Sequence, residues 1–222
     1  MYKALAFKEL RETAGIAAIA SIAYLAVIAF EVGFNIIGVR VERNVDPIPF
    51  VGDAFLSWFL AISVLFAASL AFWQTVTENT RGTWLFLLHR PIMPWRLIAV
   101  KLAVGAGLYL SVSAAAILVY AIWAAIPGTH ASPFYWWMTT VDWESWIIVL
   151  ICYFGVFLAG IRPGHWLGTR VLPAVTAGLA AVLCGVLGFE LRWQIAGLFA
   201  SLLCSAVFIG SILYVARTRD FS

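Results

Sequence analysis

The sequence predicts an all-α integral membrane protein: six transmembrane helices, an amphipathic interfacial helix at the N-terminus, and a short helix in the loop between spans two and three. Three observations carry this. Of the 222 residues, 64% are hydrophobic and 11% are charged, where soluble domains run at roughly 45–50% and 25%. Mean hydropathy is +0.97. Apolar runs recur six times at close to the roughly 20 residues that a helix needs to cross about 30 Å of hydrocarbon. No polar stretch is long enough to build a soluble core, so residues 1–222 read as one membrane domain.

Residues 1–14 come first. On a helical wheel Tyr2, Ala6, Phe7, Leu10 and Ala14 share one face, and Lys8, Glu9, Arg11 and Glu12 share the other. Lys8 and Glu12 are spaced to pair at i,i+4. Such a helix is expected to lie in the interface plane before the chain turns into the bilayer; the alternative is a plain extension of span one. The apolar run that follows is too long for the h-region of a cleavable signal peptide.

The spans are expected at Thr13–Val32 (extending as far as Val39), Ala54–Thr77, Leu102–Ile126, Ser145–Ile161, Val171–Phe189 and Trp193–Ala216. Each is too long for a barrel strand and lacks strict alternation, so helices are predicted. Eleven Lys/Arg fall on the side of the two termini (Lys3, Lys8, Arg11; Arg81, Arg90, Arg96, Lys101; Arg162, Arg170; Arg217, Arg219) and three on the other (Arg40, Arg43, Arg192). The positive-inside rule then places both termini in the cytoplasm of a cell (inner or plasma) membrane. The loop between spans three and four has no Lys or Arg and is aromatic instead, with Phe134, Tyr135, Trp136, Trp137, Trp143 and Trp146. That composition suits the membrane–water interface, and a contact with a substrate at an exit is the other reading.

Several chemistries find no support. Cys152, Cys184 and Cys204 are far apart and lie in apolar runs, which reads as packing rather than as a disulfide framework or zinc site. No Walker A, HExxH or GxSxG pattern occurs, and the three histidines fall in predicted loops. The chain is therefore not expected to be an enzyme or to hold a cofactor. A net charge of +3 gives no reason to expect nucleic acid. Glu31 is the carboxylate inside an apolar run, and an intramembrane acid is a functional candidate. It lies about 27 Å along a helix from Thr13, near the outer interface. An interfacial or bundle-facing structural acid and a proton or cation contact at the external mouth are both open.

The segment Glu78–Lys101 stands apart. It holds four Lys/Arg, two prolines and five consecutive large apolar residues, Trp84 to Leu88. As a helix, those five point all around the wheel, so one side needs cover other than water. A protein partner and the inner leaflet both provide it. Pro91 and Pro94 end the segment, and Arg96 and Lys101 are expected to snorkel to the headgroups as span three begins.

Glu78, Arg81-Gly82-Thr83, Leu87-Leu88, Arg90-Pro91 and Lys101 resemble the first cytoplasmic loop of the type-2 family of ATP-binding-cassette (ABC) transporter permeases. The six-span layout resembles that family along the whole chain, and residues 1–14 resemble its membrane-parallel helix. The resemblance implies a coupling helix that docks into a separate P-loop ATPase subunit. Glu78, Arg81, Gly82 and Thr83 would shape the turn and its polar contacts, and Trp84, Leu85 and Leu88 would fill the partner's groove. It further implies a second permease chain, identical or related, and ATP with Mg held by the ATPase. The implied function is export through a pathway between the two permeases. The short Glu190–Arg192 connection departs from the lipid-exporting branches, which carry re-entrant external helices there. A non-transporting scaffold or regulatory subunit of a larger complex is the alternative reading.

Overall fold

The computed structural model describes residues 2–33, 48–51, 54–80, 93–130, 132–162, 167–188 and 194–218. The described residues are helical with no strand, and six helices are long and apolar enough to cross a membrane. They are α1 (Tyr2–Glu31), α2 (Phe55–Thr80), α3 (Pro94–Ala125), α4 (Thr140–Ile161), α5 (Leu167–Gly188) and α6 (Gln194–Thr218). A single 3-10 turn, Trp136–Thr139, leads into α4.

Helix α4 is the hub. It packs on α2, α3, α5 and α6, while α1 lies across α2 and α3 and α5 lies against α6. The burial of the helices follows from this: 56% of the apolar window of α4 is buried, against 17% to 39% for the others. The outward faces of α5 and α6 carry Leu179, Leu183, Val186, Phe199 and Leu203, all exposed. That is the apolar face a membrane helix turns to lipid.

Local chemistry sets the helix ends. Pro94 sits at the start of α3 after an extended Met93, where a missing N–H costs nothing and the fixed φ favours the helix. At its other end, Ile126–Thr129 closes a turn, with Thr129 N–H donating to Ile126 O at 3.4 Å. Pro127 and Gly128 are its central residues, and the φ of +88° at Gly128 is the conformation that such a Pro-Gly turn requires. Helix α4 stops at Arg162, which is extended because the residue before a proline avoids the helical region.

Close approach comes from small residues. Gly160 of α4 lies against the Thr75 side chain of α2, and Gly155 of α4 lies against Ala177 and the Pro173 carbonyl of α5. A methyl group at either glycine would overlap its neighbour. Polar clasps bridge α3 to α4 and α1 to α2. Tyr109 hydroxyl donates to Trp146 O at 3.1 Å, and Trp146 Nε1 donates back to Leu110 O at 3.1 Å. Tyr24 and Ser63 hydroxyls bond at 2.7 Å between α1 and α2.

The helices run longer than the apolar runs. Residues 2–14 form no separate surface helix; they are the first turns of α1. Of the predicted polar face, Arg11 is exposed and Glu9 alone is buried. Phe7 is 70% exposed and Glu9 is 1% exposed, because Glu9 has a partner inside the bundle. Lys8 and Glu12 do pair, at 3.7 Å on the surface. Span three starts at Pro94 rather than Leu102. Span four starts at Thr140 rather than Ser145, which draws Asp142 and Glu144 into the helix, both buried. Spans two, five and six likewise extend a few residues, to Thr80, back to Leu167 and on to Thr218.

Candidate functional site

The N-terminal end of the bundle holds a buried polar network. It is assembled from α1, α2, α3 and α4, and it lies where α2 stops and α3 starts. Lys101 Nζ is 2.8 Å from Glu9 Oε1, and both side chains are 1% exposed. The expected snorkelling of Lys101 therefore does not occur: a carboxylate inside the bundle holds the ammonium there. Helix α1 is continuous through this point, so Glu9 projects from a rigid element.

Lys101 also anchors the network through its backbone. Gln74 Nε2 of α2 donates to Lys101 O at 3.1 Å. Tyr153 hydroxyl of α4 donates to Gln74 Oε1 at 2.8 Å and lies 3.3 Å from Leu102 O. Gly105, one turn further along α3, faces the Tyr153 hydroxyl and Gln74 Oε1 with no room for a Cβ. Thr13 Oγ1 returns a hydrogen bond to Glu9 O at 2.8 Å. Glu9, Thr13, Gln74, Lys101 and Tyr153 are all buried. Burying a charged pair costs hydration that close geometry must offset; the 2.8 Å approach supplies that geometry, and the bonds from Gln74, Tyr153 and Thr13 fix the backbone that carries the two side chains.

Two further features mark the same end. Trp95, in the first turn of α3, makes cation–π contacts with Arg96 and Arg217, whose guanidinium carbons lie 5.4 and 5.2 Å from its ring centre. This ties the start of α3 to the end of α6. Beside it, a cavity of about 560 Å³ opens between α4 and α6, bordered by Leu158, Arg162, Ser211 and Tyr214.

The residues singled out by the sequence fall as follows. Glu78 belongs to the last turn of α2. Arg81, Gly82, Thr83, Trp84, Leu85 and Leu88 lie outside the described residues. Glu31 closes α1 and is 7% exposed, a bundle-facing acid at the opposite end from Glu9. The three cysteines are free thiols, and all join one apolar cluster between α4, α5 and α6. The described residues contain no His/Cys/Asp/Glu group able to hold a metal ion.

Gln74 and Tyr153 escaped the sequence reading, which puts Glu9 on the polar outer face. The available signal was the pair of opposite charges, Glu9 and Lys101, each at the polar edge of an apolar run. Comparison of the chain with known protein families, characterised proteins and solved structures finds no match.

Proposed function

We propose that this chain is the membrane subunit of an ATP-driven transporter, in which residues 78–101 couple the bundle to a separate P-loop ATPase. The observation that carries this reading is what flanks the 81–92 loop. One flank, α2, reaches Gln74, and the other, α3, carries Lys101. Gln74 and Lys101 are locked to each other, to α1 through Glu9 and to α4 through Tyr153. A push on the loop would be delivered to four helices at once instead of being absorbed by a flexible linker.

In this reading the short helix within 78–88 docks in the ATPase. Trp84, Leu85 and Leu88 fill a groove there, at roughly 1.5–3 kcal/mol for each large side chain buried. Two permease chains enclose the pathway, and the ATPases hold ATP and Mg. ATP favours the closed ATPase pair, and this differential affinity supplies the drive. The resemblance of Glu78–Lys101 to type-2 ABC permeases supports export, with both termini on the ATPase side of a cell membrane.

The test is purification of the tagged chain in mild detergent, with mass spectrometry of what accompanies it. A P-loop ATPase at comparable stoichiometry is expected. Trp84→Asp combined with Leu88→Asp should remove the ATPase while the chain still inserts. Retention of the ATPase by that variant would overturn the docking role. Recovery of other membrane proteins with no ATPase would establish the scaffold reading instead.

A further inference from the structure

At the end of the bundle away from the N-terminus, α4 begins, α5 stops and α6 starts. Asp142 and Glu144 stand in the first turns of α4, and both are buried. Glu144 is 7% exposed. Its carboxyl is wedged against Gly188, the last residue of α5, where a methyl group would overlap Oε1. A methyl group on Gly197, in the first turn of α6, would come within 2.9 Å of both Oε1 and the Gly188 Cα. Two helices thus present bare backbone to one carboxyl group, which occupies the space that their side chains would take.

Nothing described neutralises that group. Glu144 Oε1 is buried and accepts no hydrogen bond among the described residues. Described α5 and α6 carry one basic residue each, Arg170 and Arg217, both at the far end of the bundle. Among the described residues, the other titratable groups at this end are Asp142 on α4, Cys184 one turn before Gly188, and His130 and Tyr135 on the connection from α3; the sequence between α5 and α6 adds Glu190 and Arg192. Glu31 closes α1, which packs on α2 and α3. The last carbonyls of α5 lack helical partners and form the negative end of its dipole. They favour a hydroxyl donor over a carboxylate. The first N–H groups of α6 would favour the carboxylate, but none reaches Oε1. A bare carboxylate without donors is the costly state in such surroundings, and a single proton removes the charge.

We propose that Glu144 is a proton-binding site: its carboxyl carries a proton while the ends of α4, α5 and α6 are closed around it, and releases that proton when those ends separate and water reaches Oε1. The proposal stands on the packing of these three helices and does not require the transporter reading.

The test is labelling of the intact, folded chain with N,N′-dicyclohexylcarbodiimide, a reagent for protonated carboxyls in apolar surroundings. The acid O–H adds across one C=N bond, and an acyl shift leaves a stable N-acylurea that retains every atom of both reactants. At about pH 7 an ordinary glutamate, with a pKa of about 4.3, is more than 99% ionised. Glu144 is expected to gain the mass of the reagent at that pH, and fragment masses should place it on Glu144 rather than Asp142. Labelling should fall about tenfold for each pH unit above the pKa of the group.

Glu144→Gln should lose the label while keeping the same elution profile. An unlabelled native chain, or a label on Asp142, overturns the proposal. Suppression by sodium or potassium at constant pH and ionic strength makes the ligand a metal cation and overturns it too. Arg192, in the segment joining α5 to α6, supplies the last control. Labelling that appears only in Arg192→Gln makes Glu144 an ion-pair partner and ends the proton assignment.

Discussion

Lys101 ends a long aliphatic stem against Glu9 where neither side chain meets solvent. Removing one member of such a pair leaves the other charged and unpaired, at a cost of about 3–5 kcal/mol. Replacing both by neutral groups is far less costly, since the hydration lost by the pair is no longer required. Lys101→Met is therefore expected to lower the thermal midpoint in detergent sharply, and Glu9→Gln with Lys101→Met to recover most of the loss. A double-mutant cycle on unfolding free energies measures this. Single and double variants of equal stability would show that the pair contributes nothing. Gly160 makes a second residue-scale case, because its Cα lies against Thr75. Gly160→Ala should destabilise by about 1–3 kcal/mol through overpacking, and Gly160→Ala with Thr75→Ala, which removes the Oγ1 nearest the added methyl, should regain part of it in the same unfolding assay.

Each helix core was legible from hydropathy alone, because twenty apolar residues in a row have few alternatives to a spanning helix. The helix ends were not. Hydropathy scores a charge the same whether it meets water or a partner, so Pro94–Lys101 and Thr140–Glu144 read as loop although both are helix. At Glu9 the wheel was right about the helix and wrong about its direction. The rule that charges face out fails when a cation 92 residues later in the chain occupies the interior. The two small-residue contacts of α4 were equally hidden, since a glycine in an apolar run carries no sign of what it touches. Gly155 meets Ala177 and Pro173 O of α5, so Gly155→Leu should push α5 off the hub. Cysteines placed at facing positions of α4 and α5 should then cross-link more slowly than in the native background. An unchanged rate would mean that α5 is held by α6 instead.

At the scale of the whole molecule, the odd number of helices between successive connections gives every helix junction a side. The starts of α1, α3 and α5 share one end of the bundle with the ends of α2, α4 and α6. The Lys/Arg bias predicts that this end is cytoplasmic. A green fluorescent protein joined after Ser222 is expected to fluoresce, and a secreted phosphatase joined there to be inactive. The opposite pair of results would invert the bundle, and with it the assignment of the 81–92 loop to an ATPase. Two of the buried acids, Glu9 and Glu144, lie at opposite ends of this frame. Glu9 is paired with a cation, whereas Glu144 is cradled by glycine. The bundle therefore solves the same problem of a buried carboxyl in two different ways.

The ion pair also carries a schedule. Glu9 leaves the ribosome before its partner, and Lys101 is made 92 residues later. At roughly 5–20 residues per second the interval is about 5 to 18 s. Throughout it, the first turns of α1 carry the Glu9 carboxylate without its Lys101 partner, and the apolar turns beyond Thr13 can enter the bilayer without them. Only when α3 emerges does Glu9 have a reason to leave the water, so the seating of α1 is completed after two further helices have been synthesised.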